Sequence, residues 1–317
     1  MSRYALQRMA GIFPRLLFIS ILLFLLIHLP AGGPADIYAA DPSASAESIE
    51  RIRELWGLDR PLPVQYGQWL TNVARGNWGN SYAERRPVTA IVAERFVNTL
   101  WLTAATVVLA LVLAVALGVA GAVSDSRFVK SLIEGFAVLG ISIPTFWSGT
   151  LVILVFAVYL DLIPSGGMAT IGRPFSLTDR LWHLLAPAAV LGTLYIAQWS
   201  RYLQAGLSEV LREDYIRTAK AKGLSRVTFT LRHGLPNVAI PFITVVGLEA
   251  PRLLSGAMVT EVVFSWPGMG RLLTSALLSR DYPVVMGTLM LFVLIVVVAN
   301  LLTDLAYGLA DPRVRYQ

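Results

Sequence analysis

Glu249 and Arg252 stand three positions apart in the stretch Val238 to Phe264, whose one other charge is Glu261. On a helix this spacing puts the two side chains one turn apart, where they can pair with each other and stabilise the helix. The same spacing also permits recognition, since a carboxylate and a guanidinium can contact groups of opposite charge on a zwitterionic solute. If the helix begins near Asn237, Glu249 lies about 18 Å along it at ~1.5 Å per residue. That is close to the middle of a hydrocarbon core ~30 Å thick. A charge at such depth costs at least ~2.5–3.5 kcal/mol on insertion scales, so it faces protein or water. Pro251 lies between the two charges and removes the hydrogen bond to the Gly247 carbonyl, freeing polar backbone where a solute path could use it. The expectation is that Glu249 and Arg252 border a translocation path.

Other chemistries lack their residues. The chain has no cysteine, which rules out structural disulfides, thiolate metal sites and redox motifs. Its histidines, His28, His183 and His233, sit near the ends of apolar runs, and no His-Glu-x-x-His occurs. An intramembrane enzyme would need a nucleophile with a base, or metal ligands, at depth. No Gly-x-x-x-x-Gly-Lys-Ser/Thr loop is present to cradle nucleotide phosphates. The chain is therefore expected to be no enzyme and to hold no cofactor or metal of its own. A self-contained secondary transporter is the other rival, and no internal repeat of the kind such folds show is visible.

The elements that position these residues are membrane helices. The 317 residues are 56% hydrophobic and 15% charged, with a mean hydropathy of +0.63. Soluble domains carry ~25% charged residues. No charge occurs in Phe96 to Ser124, Gly135 to Leu160, Leu181 to Ser200 or Tyr282 to Thr303, and about 20 apolar residues suffice to span a bilayer. Ala10 to Leu29, with Arg15 near one end, and Val238 to Phe264 bring the expected number of spans to six. The first segment also fits a signal-peptide pattern, with Arg3 and Arg8 ahead of it, and is read as a retained helix. The net charge of +6 reflects topology and gives no sign of a nucleic-acid partner. Arg3, Arg8 and Arg15 precede or open the first span without an acid. Arg201 to Arg232 holds seven basic residues against Glu209, Glu213 and Asp214, whereas Ala31 to Arg95 is nearly neutral. By the positive-inside rule both termini and the segment after span four are cytoplasmic, and Ala31 to Arg95 is exterior. Within that exterior segment Ser45 to Trp56 reads as an amphipathic helix, and Pro61, Pro63, Gly76 and Gly79 as loop. Pro144 is expected to bend span three.

Between spans four and five, residues 208–223 read as a short helix outside the bilayer. Ser208 can cap it, Glu213 and Arg217 can pair at i,i+4, and Lys220 and Lys222 suit its C-terminal end. Gly223 provides the stop. Leu211, Tyr215, Ala219 and Gly223 follow one another every four residues with shrinking side chains, so another protein surface could approach closely. An ordinary solvated helix fits the same pattern.

This segment resembles the cytoplasmic coupling motif of ABC importer permeases. Arg217-Thr218-Ala219 is followed, after three intervening residues, by Gly223 and, after nine more, by His233-Gly234-Leu235-Pro236. The run Asp214-Tyr215-Ile216-Arg217-Thr218-Ala219-Lys220-Ala221-Lys222-Gly223 resembles the dipeptide, oligopeptide and nickel branch. So do Gly57 to Tyr66, Arg86-Pro87-Val88, Glu261 to Leu272, Arg280-Asp281-Tyr282-Pro283, Asn300 to Tyr307 and Asp311-Pro312-Arg313. Gly76-Asn77-Trp78-Gly79 departs from the branch's Gly-Asp-Leu-Gly, and Pro30 to Pro34 lacks its Gly-Asp-Pro. The long exterior loop is similar to that of the B-type subunit.

The resemblance implies an all-α type I importer permease. Residues 1–30 would hold the first span, 31–95 an exterior region and 96–317 the permease core. Its partners would be a second, C-type permease, two ATP-binding subunits that carry ATP and magnesium, and an extracytoplasmic substrate-binding protein. Asp214 to Gly223 would engage an ATPase. Peptides would be the cargo, with glutathione, nickel or another small solute as alternatives. Trp266-Pro267-Gly268 reads as an exterior turn with an interfacial aromatic anchor. Asn300 and Asp304, one turn apart, read as a structural hydrogen bond between helices.

Overall fold

The computed structural model describes residues 13–25, 47 and 59–310. Apart from Glu47, which is helical, the expected amphipathic helix Ser45 to Trp56 lies outside them, as do Arg3, Arg8, His28 and Asp311 to Arg313. Asn300 and Asp304 fall on a described helix, but their side chains lie outside the described set.

Among the described residues the elements are helical, in the order α1 (Phe13–Leu25), α2 (Leu62–Ala74), α3 (Val88–Val123), α4 (Arg127–Ser142), α5 (Thr145–Val152, continued by a π-helical Ile153–Tyr159), α6 (Leu177–Val210), α7 (Asp214–Ala221), α8 (Arg226–Phe229), a π-helical turn Thr230–Gly234, α9 (Leu235–Val263), α10 (Met269–Leu278) and α11 (Tyr282–Ala310). Three stretches are long and apolar enough to cross a bilayer, Val88–Val123, Leu177–Val210 and Arg226–Leu254. The pair Arg127–Ser142 and Thr145–Tyr159 makes a fourth if it counts as one broken span. Phe13–Leu25 and Tyr282–Val298 are shorter apolar helices. Large apolar side chains such as Val108, Val112, Leu132 and Leu139 are exposed, as suits a lipid- or partner-facing surface.

The charge-free run Gly135 to Leu160 is not one continuous helix. Ile143, constrained by the proline that follows it, is extended (φ −85°, ψ 124°), and Pro144 starts a new helix at 109° to the old one. The residue before a proline is pushed out of the α region, and the result is a break where a kink was expected. Pro61 and Pro63 also act differently from expectation. Proline is tolerated in the first turn of a helix, where its missing N–H would go unbonded anyway, so Pro61 caps α2 and Pro63 lies in its first turn.

The chain divides into two compact units, residues 1–97 with 271–317, and residues 98–270. In the first, α1 and α2 pack through Phe24, Tyr66 and Trp69, with Phe24 edge-on to Tyr66 at 5.4 Å, and Ser20 Oγ lies 2.8 Å from the Tyr66 hydroxyl. The second is organised around α6, whose Leu191, Tyr195, Trp199, Leu203 and Leu207 are buried against α3 and α9. Small residues permit the close approach. A Cβ on Gly118 of α3 would lie 2.9 Å from the Ser200 carbonyl oxygen, the kind of small-residue contact that lets membrane helices meet backbone to backbone.

Candidate coupling surface and mid-membrane charge site

Helix α7 is separate from α6. Expected to run over 208–223 from a Ser208 cap, the helix starts instead at Asp214, because α6 continues through Ser208 to Val210 and Leu211 to Glu213 form a turn. Glu213 occupies the N-cap position, and Arg217 pairs with Asp214 at 3.1 Å rather than with Glu213. The far end matches the expected stop. Gly223 has φ +80°, its N–H donates to the Lys220 carbonyl at 3.0 Å, and Leu224 N–H donates to the Ala219 carbonyl at 3.3 Å. This paired closure is a Schellman motif, which requires a left-handed residue at the position of Gly223.

The expected row of four shrinking side chains is divided between two faces. Ile216 and Ala219 are buried with Phe229 of α8 in a small cluster that Leu211 borders, and the Lys220 ammonium lies 5.1 Å from the Phe229 ring centroid. Tyr215, Arg217, Thr218, Ala221, Lys222 and Gly223 are exposed. A Cβ at Gly223 would meet nothing within 4 Å, so within the chain it is the turn that requires glycine. The exposed Asp125, in the turn between α3 and α4, accepts two N–H groups from the Arg226 guanidinium, one of them at 2.9 Å. Hydrogen bonding and charge from Arg226 hold the Asp125 carboxyl below the ordinary carboxylate range.

Glu249 is the central residue of α9. Phe242, Val246, Leu253 and Ala257 form the buried stripe of this helix, and Glu249 falls on that stripe, half-buried. The indole Nε1–H of Trp199, a side chain with no exposed surface, donates to Glu249 Oε2 at 2.9 Å. Tyr195 lies one turn earlier on α6, its ring centroid 5.5 Å from that of Trp199. Arg252 is on the exposed side of α9. Glu249 thus lies at the α6–α9 seam, and Arg252 is exposed.

Glu261, near the end of α9, is fully buried. Its Oε1 accepts the Thr99 hydroxyl at 2.6 Å and its Oε2 accepts Gly270 N–H at 2.6 Å, while Thr99 Oγ1 accepts Met269 N–H at 2.9 Å. Two first-turn N–H groups of α10, which have no partner within their own helix, are thereby satisfied. The Trp266 indole donates to the Asn98 carbonyl and the Asn98 amide to the Pro267 carbonyl, both at 2.9 Å. Trp266 is 1% exposed. The expected interfacial anchor is therefore a core residue, because an aromatic beside Pro-Gly reads as a surface turn until Asn98 is brought to it. A Cβ on Gly268 would sit 2.1 Å from Glu261 Oε1, so the carboxylate occupies the space that glycine leaves.

The segment 79–88 folds back on itself through an isolated Asn80–Pro87 bridge and a Val88 N–H to Gly79 carbonyl bond at 3.0 Å. The Ser81 hydroxyl and the Ala83 N–H both donate to Asp281 Oδ2. Gly79, Pro87, Val88 and Asp281, which lie in three separate sequence motifs, thus belong to one structure.

Sequence reasoning missed Trp199, Asn98, Thr99 and Asp125. Each has a local signal. Trp199 ends the charge-free run of α6, Asn98 and Thr99 are a polar pair at the start of another, and Asp125 is an acid in a serine-flanked turn between two apolar helices. None of these signals names a partner. Among the described residues, no group of three or more His, Asp or Glu side chains is placed to hold a metal ion.

Residues 107–316 match the model of the family described as binding-protein-dependent transport system inner membrane component, and residues 1–103 match that of the corresponding N-terminal membrane component. The chain is similar to the glutathione transport system permease protein GsiC of Escherichia coli (strain K12), with 40% identity over 317 residues. It is 39% identical over 317 residues to the protein of that name in Salmonella typhimurium (strain LT2). In both cases all of each chain is covered.

Proposed function

Because this chain belongs to the binding-protein-dependent inner membrane transport components, the permease subunits of ABC importers, we propose that it forms half of a translocation path for small peptides, glutathione included. As such a permease it is a multi-pass protein of the bacterial inner membrane and not an enzyme, and ATP and magnesium belong to the partner ATPase subunits. On the proposed reading it is the B-type subunit. A C-type permease completes the path, two ATPases drive it and an extracytoplasmic binding protein delivers the cargo.

The observation that carries the coupling role is α7. It has its own termini, a buried underside of Ile216 and Ala219, and an uncovered outer face of Tyr215, Thr218, Ala221 and Lys222. On this reading that face, with Asp214, Arg217, Lys220 and Gly223, seats in an ATPase groove. Closure on ATP then moves α7, and the α8–π-turn segment passes the motion to α9. The proposed topology has six spans, cytoplasmic termini, residues 31–95 exterior and residues 96–317 as the permease core. Glu249 and Arg252 border the path, and Trp266 to Gly268 lie at its exterior end.

The cargo reading is supported by the relatives named for glutathione transport, since glutathione is itself a small peptide with amino and carboxylate groups. The test is uptake of labelled glutathione and of labelled dialanine by vesicles holding the full complex with its binding protein and ATP. Uptake of either supports the reading, and uptake of neither by a complex whose ATPase responds to the loaded binding protein refutes it. For coupling, Thr218→Cys should cross-link to an ATPase subunit, whereas Ser48→Cys, placed outside, should not. The native chain supplies no competing thiol.

A further inference from the structure

A carboxylate at the centre of a membrane helix needs a reason. Leucine or glutamine at position 249 would fill the α6–α9 seam without the cost of a charge at mid-depth, and buried charges are weak evidence for stability. The Glu249 side chain nevertheless sits on the stripe of Phe242, Val246, Leu253 and Ala257. Its Oε2 is held by the Trp199 indole at 2.9 Å. That donor is neutral, so it orients the carboxylate without cancelling its charge. A carboxylate has about four acceptor positions, and the indole fills one. Trp199 cannot move easily, being wholly buried, and the Tyr195 ring is packed beside it. Glu249 itself is only half-buried. The arrangement is a carboxylate held in place by one neutral donor and only half-buried, and carboxylates bind cations through charge-assisted hydrogen bonds.

Resting on the proposal that α9 borders the path, we infer that Glu249 and its Trp199 donor form a transit subsite for a primary ammonium, the free amino group of the passing peptide. Glu249 makes the contact and Trp199 is a positioning residue that fixes where the carboxylate points. Selection at this subsite depends on the amino group of the cargo and adds to whatever the binding protein selects.

The experiment uses the full complex in proteoliposomes with one binding protein throughout. Uptake of glutathione and of its deaminated analogue, which lacks only the amino group, is measured for wild type, Glu249→Gln, Trp199→Phe and the double variant. Binding-protein preference is common to all four and cancels when the ratio of the two cargoes is compared between them. Glu249→Gln should lower glutathione uptake at least about tenfold more than uptake of the analogue, the scale of one charge-assisted hydrogen bond. Trp199→Phe should shift the ratio in the same direction by less, and should shift it no further in the Glu249→Gln background. Equal losses for both cargoes in Glu249→Gln would overturn the subsite while leaving the peptide reading intact. A further ratio shift from Trp199→Phe in the Glu249→Gln background would overturn the positioning role. A wild-type complex that carries neither glutathione nor dialanine would overturn the peptide reading and the subsite together.

Discussion

Helix α9 carries two carboxylates in very different circumstances. Glu261 is fully buried, with both oxygens bonded to donors from other segments and a glycine cleared to make room for it. Glu249 is half-buried, held by one indole, and sits where an apolar side chain would pack as well. The first is enclosed and bonded through both oxygens, and the second is oriented but not enclosed. A charge whose neighbours depend on it supports architecture, whereas a charge held open at membrane depth is available to a ligand.

The sharpest way to break this contrast is to remove Glu261. Glu261→Ala removes the carboxylate that accepts from the Thr99 hydroxyl and the Gly270 N–H at a fully buried position, where losing a hydrogen bond to a charged group costs about 1.5–3 kcal/mol. Thermal melting of the detergent-purified complex should show a loss large enough to impair assembly. A melting temperature equal to wild type would mean that Glu261 is as dispensable as Glu249 is expected to be. Gly268→Ala should be nearly as damaging, because its methyl would collide with the same carboxylate, and overpacking costs ~1–3 kcal/mol. Its effect should shrink in a Glu261→Ala background, which a double-variant melting series would reveal.

Glu249→Gln is expected to leave melting within about 1 kcal/mol of wild type, since the indole can still donate to the amide oxygen. Transport should fall instead. If melting falls as far as in Glu261→Ala, the two carboxylates share a structural role. A smaller effect belongs to Gly223. A leucine there carries ~1–2 kcal/mol of left-handed strain, which asparagine partly avoids. Gly223→Asn should therefore retain more ATP-driven uptake than Gly223→Leu. Equal loss in both would show that a partner surface, and not only the turn, excludes a side chain. The smallest effect is expected from Asp125→Asn, because the pair with Arg226 is solvent-exposed and such pairs add little. Since Arg226 lowers the Asp125 pKa, whatever the pair contributes is present above the ordinary carboxylate range and is lost only as pH falls through the lowered value. Melting of wild type and Asp125→Asn should differ by the same small amount at every pH from 5 to 8.

Features set by composition and short-range chemistry were readable in the chain. The charge-free runs and the stop at Gly223 follow from residue types and from spacing along one helix. What was lost depended on where a distant segment arrives. Ser208 reads as a helix cap in the sequence, and the period of Leu211 and Tyr215 runs across the turn that ends α6 without marking it. Trp266 resembled a surface anchor because its hydrogen-bond partner, Asn98, is 168 residues away. In the sequence Pro61 and Pro63 read as loop, although both stand where a helix begins. Pro144 was recognised as a disturbance, but a residue type does not specify whether two helices will bend or part.

The π-helical turn Thr230–Gly234 has a consequence for tolerance to length change. A π turn holds one residue more than the α-helix it interrupts, and the surplus is confined to a single widened loop of backbone. Losing one residue there would restore regular α-helix and leave the residues on either side on their original faces. The same loss inside α9 would swing everything beyond it by a full residue step, ~100°, and carry Glu249 away from Trp199. Deleting the exposed Leu231 should therefore spare transport far more than deleting the exposed Ile240. The joint between α8 and α9 is, in this sense, a place where the chain can change length by a residue without losing alignment.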